Sequence, residues 1–388
     1  MRLIALLFCP FAFTTGAFVF SGVLQPMAAA LGVSVAAVAT LQSAFAIACA
    51  LCGPVLAHLT RALSPRALLL TVLVLLTVLN GASALVAEFR TLFALRLLVG
   101  GVGSLAFPLA TALAASGSAP EARPKAISTV YAGIPAALIV GIPLGSVTGN
   151  AFGWPASFVS TAAICALALV LVWGFVPASG RLGQGGGPSA PQFARGIFAY
   201  LGVTLIASTV LFSVAGLIGP IIRVTTGFTG PGIAAMQFLV GLSGLVGVRL
   251  GAGMIARGGR YSLVLPFVML LISLGILVSP LTGGVVSPLS FAAMVVSIGT
   301  GPSAQSVTGT LVQARLAELA GNATLAFALN GSMIYLGQGL GILIGAAALQ
   351  RWGLGAVPIS GLVLILPGLA LALFIARRFS NTVLPKEE

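Results

Sequence analysis

"LGVSVAAVATLQ" (31–42) opens a long apolar run, and "TGFTGPGIAAMQ" (226–237) opens another 195 residues later. At that offset Gly32 meets Gly227, Ser34 meets Thr229 and Gln42 meets Gln237. Ser34 and Thr229 are spaced to cap the helix each run would form, a hydroxyl accepting from an N–H left free in the first turn. A second pair agrees: Gly141, Gly145 and Gly149 match Gly337, Gly341 and Gly345 at an offset of 196. A repeat at half the chain's length predicts two copies of one unit.

Composition says what solvent the unit is built for. The chain is 59% hydrophobic and 6% charged, against about 25% charged in soluble domains. A mean hydropathy of +1.17 with 50 glycines suits helices packed in lipid, where small residues let backbones approach. Crossing takes about 20 apolar residues. Runs of that kind lie at 4–24, 35–57, 67–87, 91–115, 126–149, 157–176, 196–218, 231–255, 263–281, 288–312, 324–347 and 357–376. Each is predicted to be helical, because lipid offers no partner to unpaired backbone groups. The first run exceeds the about 7–15 apolar residues of a signal peptide core, so it reads as a span and not a cleaved leader.

The predicted fold class is all-α, with twelve transmembrane helices in two pseudo-symmetric six-helix halves. The Gly-, Ser- and Pro-rich "PASGRLGQGGGPSAPQFAR" (177–195) has the composition of a flexible linker. It divides the chain into a half at 1–177, a linker at 178–195 and a half at 196–388. The net charge of +13 is spread between apolar runs, which argues for topology signals and against nucleic acid. With the N-terminus inside, thirteen basic residues fall in cytoplasmic segments and only Arg90, Arg223 and Arg351 in the opposite ones, which sets both termini cytoplasmic.

Four stretches carry a family likeness: "GPVLAHLTRALSPR" (53–66), "RLLVGGVGSLAFPLATALAA" (96–115), "GIPLGSVTGNAFGWPASF" (141–158) and "GAGMIARGGR" (251–260). On these the chain resembles the major facilitator superfamily, and more narrowly its twelve-span bacterial drug and sugar efflux group, the arabinose-efflux-type permeases. The resemblance implies an inner-membrane secondary transporter, opening a solute site to alternate sides as one half rocks on the other. In the family's loop signature an acid latches one conformation. Here His58 takes the acid's place in the first half and Ala256 in the second, while Arg61, Arg257 and Arg260 are retained. His58 is therefore the candidate for a pH-sensitive latch, histidine being the side chain that titrates near neutrality; a solvated loop histidine is the plain reading. The acid that many efflux relatives carry in span 1 is replaced by Gly16 and Ala17.

Little else could do chemistry. There is one histidine and no aspartate, and Glu88, Glu121, Glu318, Glu387 and Glu388 all lie outside the spans. Cys9, Cys49, Cys52 and Cys165 sit inside apolar runs. The reading is no enzyme, no cofactor and no metal. A proton relay through a membrane uses an embedded Asp, Glu or His. A coupled proton would here ride on the solute, on Glu88 or on a loop carboxylate; otherwise transport is exchange or uncoupled.

Arg96, about one turn into span 4, is the leading binding candidate. A cation in a span is costly unless paired or hydrated, so it is expected either to meet an anionic group on the solute or to serve a structural role. Arg249 in span 8 invites the same question. Polar stripes at helical spacing add Thr14, Phe18, Ser21 and Gln25 in span 1, Thr209, Ser213, Gly216 and Pro220 in span 7, and Asn330, Tyr335 and Gln338 in span 11. Gln42 and Gln237 join them as repeat mates. In the family spans 1, 4, 7 and 10 line the cavity; the alternative for each residue is a hydrogen bond between helices. Gly141, Gly145, Gly337 and Gly341 are candidates for close packing that conformational change would use.

The expected function is alternating-access movement of a small organic solute, anionic or amphipathic, exported across a bacterial inner membrane by a monomer. The alternatives are a facilitator or exchanger importing a sugar or organic acid, and a non-transporting lipid-handling or signalling membrane protein.

Overall fold

The computed structural model describes residues 1–177, 196–259, 261–284, 286–319 and 323–378. The expected linker at 178–195 and Arg260 lie outside the described residues. Among the described residues all regular structure is helical. Ten helices are long and apolar enough to cross a membrane. Two more complete the twelve: the shorter apolar Arg2–Phe18 and Pro288–Leu319, which intersperses Ser297, Ser303, Gln305, Ser306 and Thr308 among its apolar residues.

The spans are Arg2–Phe18 with its continuation Leu24–Leu31 (span 1), Val35–Leu59 (2), Pro65–Leu85 (3), Phe89–Ser116 (4), Lys125–Phe152 (5) and Pro155–Phe175 (6). In the second half they are Ile197–Ala215 with Ile218–Thr226 (7), Pro231–Arg257 (8), Val264–Gly283 (9), Pro288–Leu319 (10), Ala323–Trp352 (11) and Ala356–Arg378 (12). The face where the chain starts and span 12 ends is called terminal below; the opposite face is distal.

The structure departs from expectation at two places. Spans 1 and 7 do not stop near 24 and 218. Each breaks and resumes, to Leu31 and to Thr226. Pro26 and Pro220 stand in the first turn of the resumed helices. Proline lacks the N–H and crowds the preceding turn, so a straight continuation is disfavoured there. Second, Ser34 Oγ does cap span 2, accepting from Ala37 N at 3.1 Å, but Thr229 does not cap span 8. Pro231 takes the first helical position, which suits its fixed φ, and Gly230 at φ 51° is the capping residue.

Each half has its own apolar core. Leu6, Phe13, Phe45, Leu73 and Val99 anchor one cluster and Phe20, Leu41, Leu92 and Phe158 a second, both in spans 1–6. Val210, Phe267, Leu274, Met294 and Val307 anchor that of spans 7–12, which Ala36 and Ala39 of span 2 also enter. The repeated glycines hold the halves together internally. A Cβ at Gly145 of span 5 would lie 2.6 Å from Val19 O of span 1, and one at Gly337 of span 11 would lie 2.6 Å from Leu205 O of span 7. Gly141 abuts Thr15, and Gly341 abuts the Thr209 carbonyl, in the same two pairings. At the terminal face arginines tie off helix ends. Arg66 donates to Trp173 O at 2.9 Å at the end of span 6, and Arg2 to Gly117 O at 2.8 Å at the end of span 4. A cation suits a helix C-terminus, whose last carbonyls lack partners.

Candidate functional site

The halves meet along spans 1, 2 and 5 on one side and 7, 8 and 11 on the other. Their distal ends are closed by side-chain hydrogen bonds. The break in span 1 places Ser21 against the break in span 7, so that a Cβ on Gly219 would lie 2.5 Å from Ser21 O. Gln237 Nε2 of span 8 donates to Ser21 Oγ at 2.8 Å, and Ser146 of span 5 donates its hydroxyl to Gln237 Oε1. These three side chains are all buried. Beyond them Arg223 Nη1 donates to Gln25 Oε1 at 3.0 Å. Just below, toward the terminal face, Phe18 and Phe212 stack across the interface with centroids 5.9 Å apart.

Spans 2 and 11 join partway along their lengths. Ser43 Oγ donates to Gly339 O at 2.8 Å, and Ile47 crowds the same glycine. Tyr335 reaches over to Phe13 of span 1, ring centroids 6.1 Å apart, and Phe13 in turn meets Phe45 at 5.2 Å. Going toward the terminal face along the same side of span 2, at about 100° per residue, contact is lost. Ser43 and Ala50 are buried, whereas Pro54, Ala57 and His58 are exposed. The interface is a cleft, open at the terminal face and closed at the distal one.

Of the residues predicted from sequence, the interface brings together Phe18, Ser21, Gln42, Gln237, Tyr335 and Gln338. Thr14 shares the helical face of Phe18, and Thr209 that of Phe212; both are 7% exposed. Three others sit inside a half. Asn330 Oδ1 accepts from Thr204 Oγ1 at 2.7 Å within spans 7 and 11. Ser213 bonds Val210 O at 2.8 Å and lies against Gly361 of span 12. Arg96 is fully buried among spans 1, 3, 4 and 6. It donates to Asn80 Oδ1 at 3.1 Å, Ser83 Oγ at 3.0 Å and Gly16 O at 3.4 Å, with its guanidinium carbon 4.8 Å from the centre of the Phe158 ring. It meets no carboxylate there. Arg249 is exposed, as are His58, Arg61 and Arg257 at the terminal face.

Sequence reasoning misses Ser146 and Phe212. Ser146 stands one residue past Gly145 in a stretch whose glycine step masks it, and Phe212 is one residue off the span 7 stripe. Asn80, the one amide in the run 67–87, is a signal in the sequence that points to Arg96's partner.

The comparisons with known proteins fit this geometry. Residues 6–324 match the family model for the Major Facilitator Superfamily. The inner membrane transport protein YdhP of Escherichia coli strain K12 is 26% identical over 98% of this chain and 97% of its own length. The uncharacterized MFS-type transporter YbcL of Bacillus subtilis strain 168 is 25% identical over 88% of this chain and 87% of its own. Among solved structures, an inward-facing, unoccupied bacterial homolog of the human lysosomal transporter Spinster superposes with a TM-score of 0.78 at 15% identity, covering 99% of this chain and 98% of that one. A D-xylose–proton symporter gives 0.76 at 17%, covering 97% of each. These structures share the fold. With twelve spans in two six-helix halves around a central cleft, the chain is a multi-pass membrane transporter and belongs to the major facilitator superfamily.

Proposed function

We propose that the protein exports a small, uncharged amphipathic organic molecule across a bacterial inner membrane by alternating access, acting as a monomer with both termini cytoplasmic. The orientation rests on the basic residues gathered in the terminal-face segments, and export on the likeness to the efflux group. Residues 1–177 and 196–388 are the two moving units. The observation that carries the reading is the cleft itself: Ser146, Gln237 and Ser21 close it distally across the halves, while the side of span 2 that runs from Ser43 to Pro54 and His58 opens to the terminal face. Rocking the halves would break the first and bury the second.

The side chains along the cleft are hydroxyls, amides and aromatic rings. Arg96 is turned into its own half and occupied by three neutral partners, which favours the amphipathic over the anionic reading. Buried polar groups fix orientation and apolar rings supply most of the contact in such sites.

The test is thermal stability of the purified protein against neutral, anionic and cationic aromatic amphipaths. A ligand at about 100 times its Kd adds about 2.7 kcal/mol. Stabilisation by neutral compounds, equal in wild type and Arg96→Met, supports the reading. Stabilisation by anions alone, lost in Arg96→Met, overturns it.

A further inference from the structure

Two side-chain amides in the cleft have donors with nothing to bond. Gln42 Nε2 and Gln338 Nε2 are both buried without a partner, their residues 1% and 2% exposed. A buried N–H left unpaired is costly, so an unfilled pair at one place requires explanation.

The repeat shows why Gln42 is unpaired. Its mate Gln237 has Ser21 on its nitrogen and Ser146 on its oxygen. At the same offsets the counterparts of those serines are Gly216 and Ile342. Gly216 and Ile342 are in contact, a Cβ on the glycine lying 2.7 Å from Ile342 Cγ1, but neither has a side-chain acceptor to offer the amide. One half's glutamine locks the halves; the other's has lost both hydroxyls.

Helix geometry aims both amides at one region. On span 2, Ser43 and Ile47 face Gly339 of span 11 and Phe45 faces Phe13 of span 1; at about 100° per residue Gln42 falls between those directions. On span 11, Gly337 and Gly341 face span 7 and Tyr335 faces span 1; Gln338 falls between them. Both amides thus point to the middle of the interface, one turn distal of the Phe13–Phe45–Tyr335 ring cluster.

The geometry points to a seat for a hydrogen-bond-accepting oxygen of the transported molecule, held by the Gln42 and Gln338 amides at the closed end of the cleft with the aromatic body of the molecule on Tyr335 and Phe18. This rests on the cleft being the solute site. It selects carbonyl-, lactone- or sulfonyl-bearing aromatic compounds over hydrocarbons of the same shape, since an analogue lacking the oxygen leaves two buried donors unpaired.

The experiment compares 7-methoxycoumarin with 7-methoxy-2H-chromene, which lacks only the ring carbonyl, by equilibrium dialysis against the full chain in nanodiscs, with empty nanodiscs subtracted. The wild type is expected to bind the coumarin at least tenfold more tightly. Gln42→Leu and Gln338→Leu should each bring the two compounds to within about twofold of one another. Equal binding of the two by wild type, or a preference that survives both substitutions, overturns the oxygen seat and leaves the cleft reading standing. No binding of either, together with no neutral compound stabilising the protein, overturns both. The wild-type comparison decides even where a variant does not fold.

Discussion

Gln237 Nε2 donates to Ser21 Oγ at 2.8 Å, across 216 positions of sequence, and so ties span 8 of one half to the break in span 1 of the other. With the Ser146 hydroxyl on its carbonyl, this amide is the centre of the distal closure. Ser21, Gln237 and Ser146 are neutral, and the Arg223 bond beyond them goes to the Gln25 amide, so none of these contacts is an ion pair and the closure has the strength of a few hydrogen bonds.

Gln237→Leu should therefore weaken the closed state without unfolding the protein. Two bonds at about 1 kcal/mol each correspond to more than a tenfold shift in the ratio of closed to open. Ser21→Ala and Ser146→Ala should each shift it by about half as much in free energy. Accessibility of a cysteine placed at Val23 to a membrane-impermeant thiol reagent added from the distal side reads this out; labelling as slow in Gln237→Leu as in wild type would contradict it.

Arg96 should behave as a bracket of the first half. Its fork spans partners on spans 1 and 3 at once, a geometry that a lysine ammonium does not reproduce. Arg96→Lys and Arg96→Met are both expected to lose about 2–3 kcal/mol of stability, because buried acceptors on Asn80 and Gly16 are left unpaired. Asn80→Leu combined with Arg96→Met should cost less than the two single losses added. Thermal melting of the four proteins in one detergent checks this, and additive losses would rule the bracket out.

The glycines of span 11 divide by what faces them. Gly337→Ala would set a Cβ 2.6 Å from Leu205 O, whereas Gly331 has nothing within 4 Å. Overpacking typically costs about 1–3 kcal/mol, so Gly337→Ala should destabilise. Gly331→Ala in the same helix should stabilise by about 0.5–1 kcal/mol through the helix preference of alanine. Equal melting temperatures would mean the span 7–span 11 contact is looser than this.

Carboxylates should not set the balance between the two cleft states. Glu88 is exposed and accepts from Thr91 Oγ1 at 2.8 Å, and Glu318 pairs with Arg315 at 2.7 Å on the exposed terminal face. The triple variant Glu88→Gln, Glu121→Gln, Glu318→Gln should show wild-type ligand stabilisation. Loss of that stabilisation would place an acid in the mechanism after all.

Much of this is legible in the residues. Apolar length locates all twelve spans, because lipid forces one backbone solution on each, though spans 1, 7 and 10 run seven or eight residues past their expected ends to Leu31, Thr226 and Leu319. The repeat offset by itself singles out Gln42 and Gln237, since both stand at the same distance past a turn in their two halves. What pattern alone does not show are the breaks in spans 1 and 7. The apolar runs continue through them, and Pro26 and Pro220 sit just inside the resumed helices where proline is tolerated. The pairing of Arg96 is hidden too, although Asn80 stands out as the one amide of its run. The missing acid at Gly16 can be read, but that Asn80 and Ser83 fill the role depends on how spans 3 and 4 cross.

Alternating access is the central claim, and paired distance measurements between spin labels test it most directly. Phe152 and Trp352 end spans 5 and 11 at the distal face, 82% and 71% exposed; Leu59 and Ile255, 69% and 43% exposed, mark the terminal face on opposite halves. Cys9, Cys49 and Cys165 are buried, so Cys52→Ser suffices as a labelling background. Gln237→Leu should add a longer 152–352 distance and, in the same proportion, a shorter 59–255 distance. Distal lengthening with the terminal distance unchanged, or no change at either face, would contradict it.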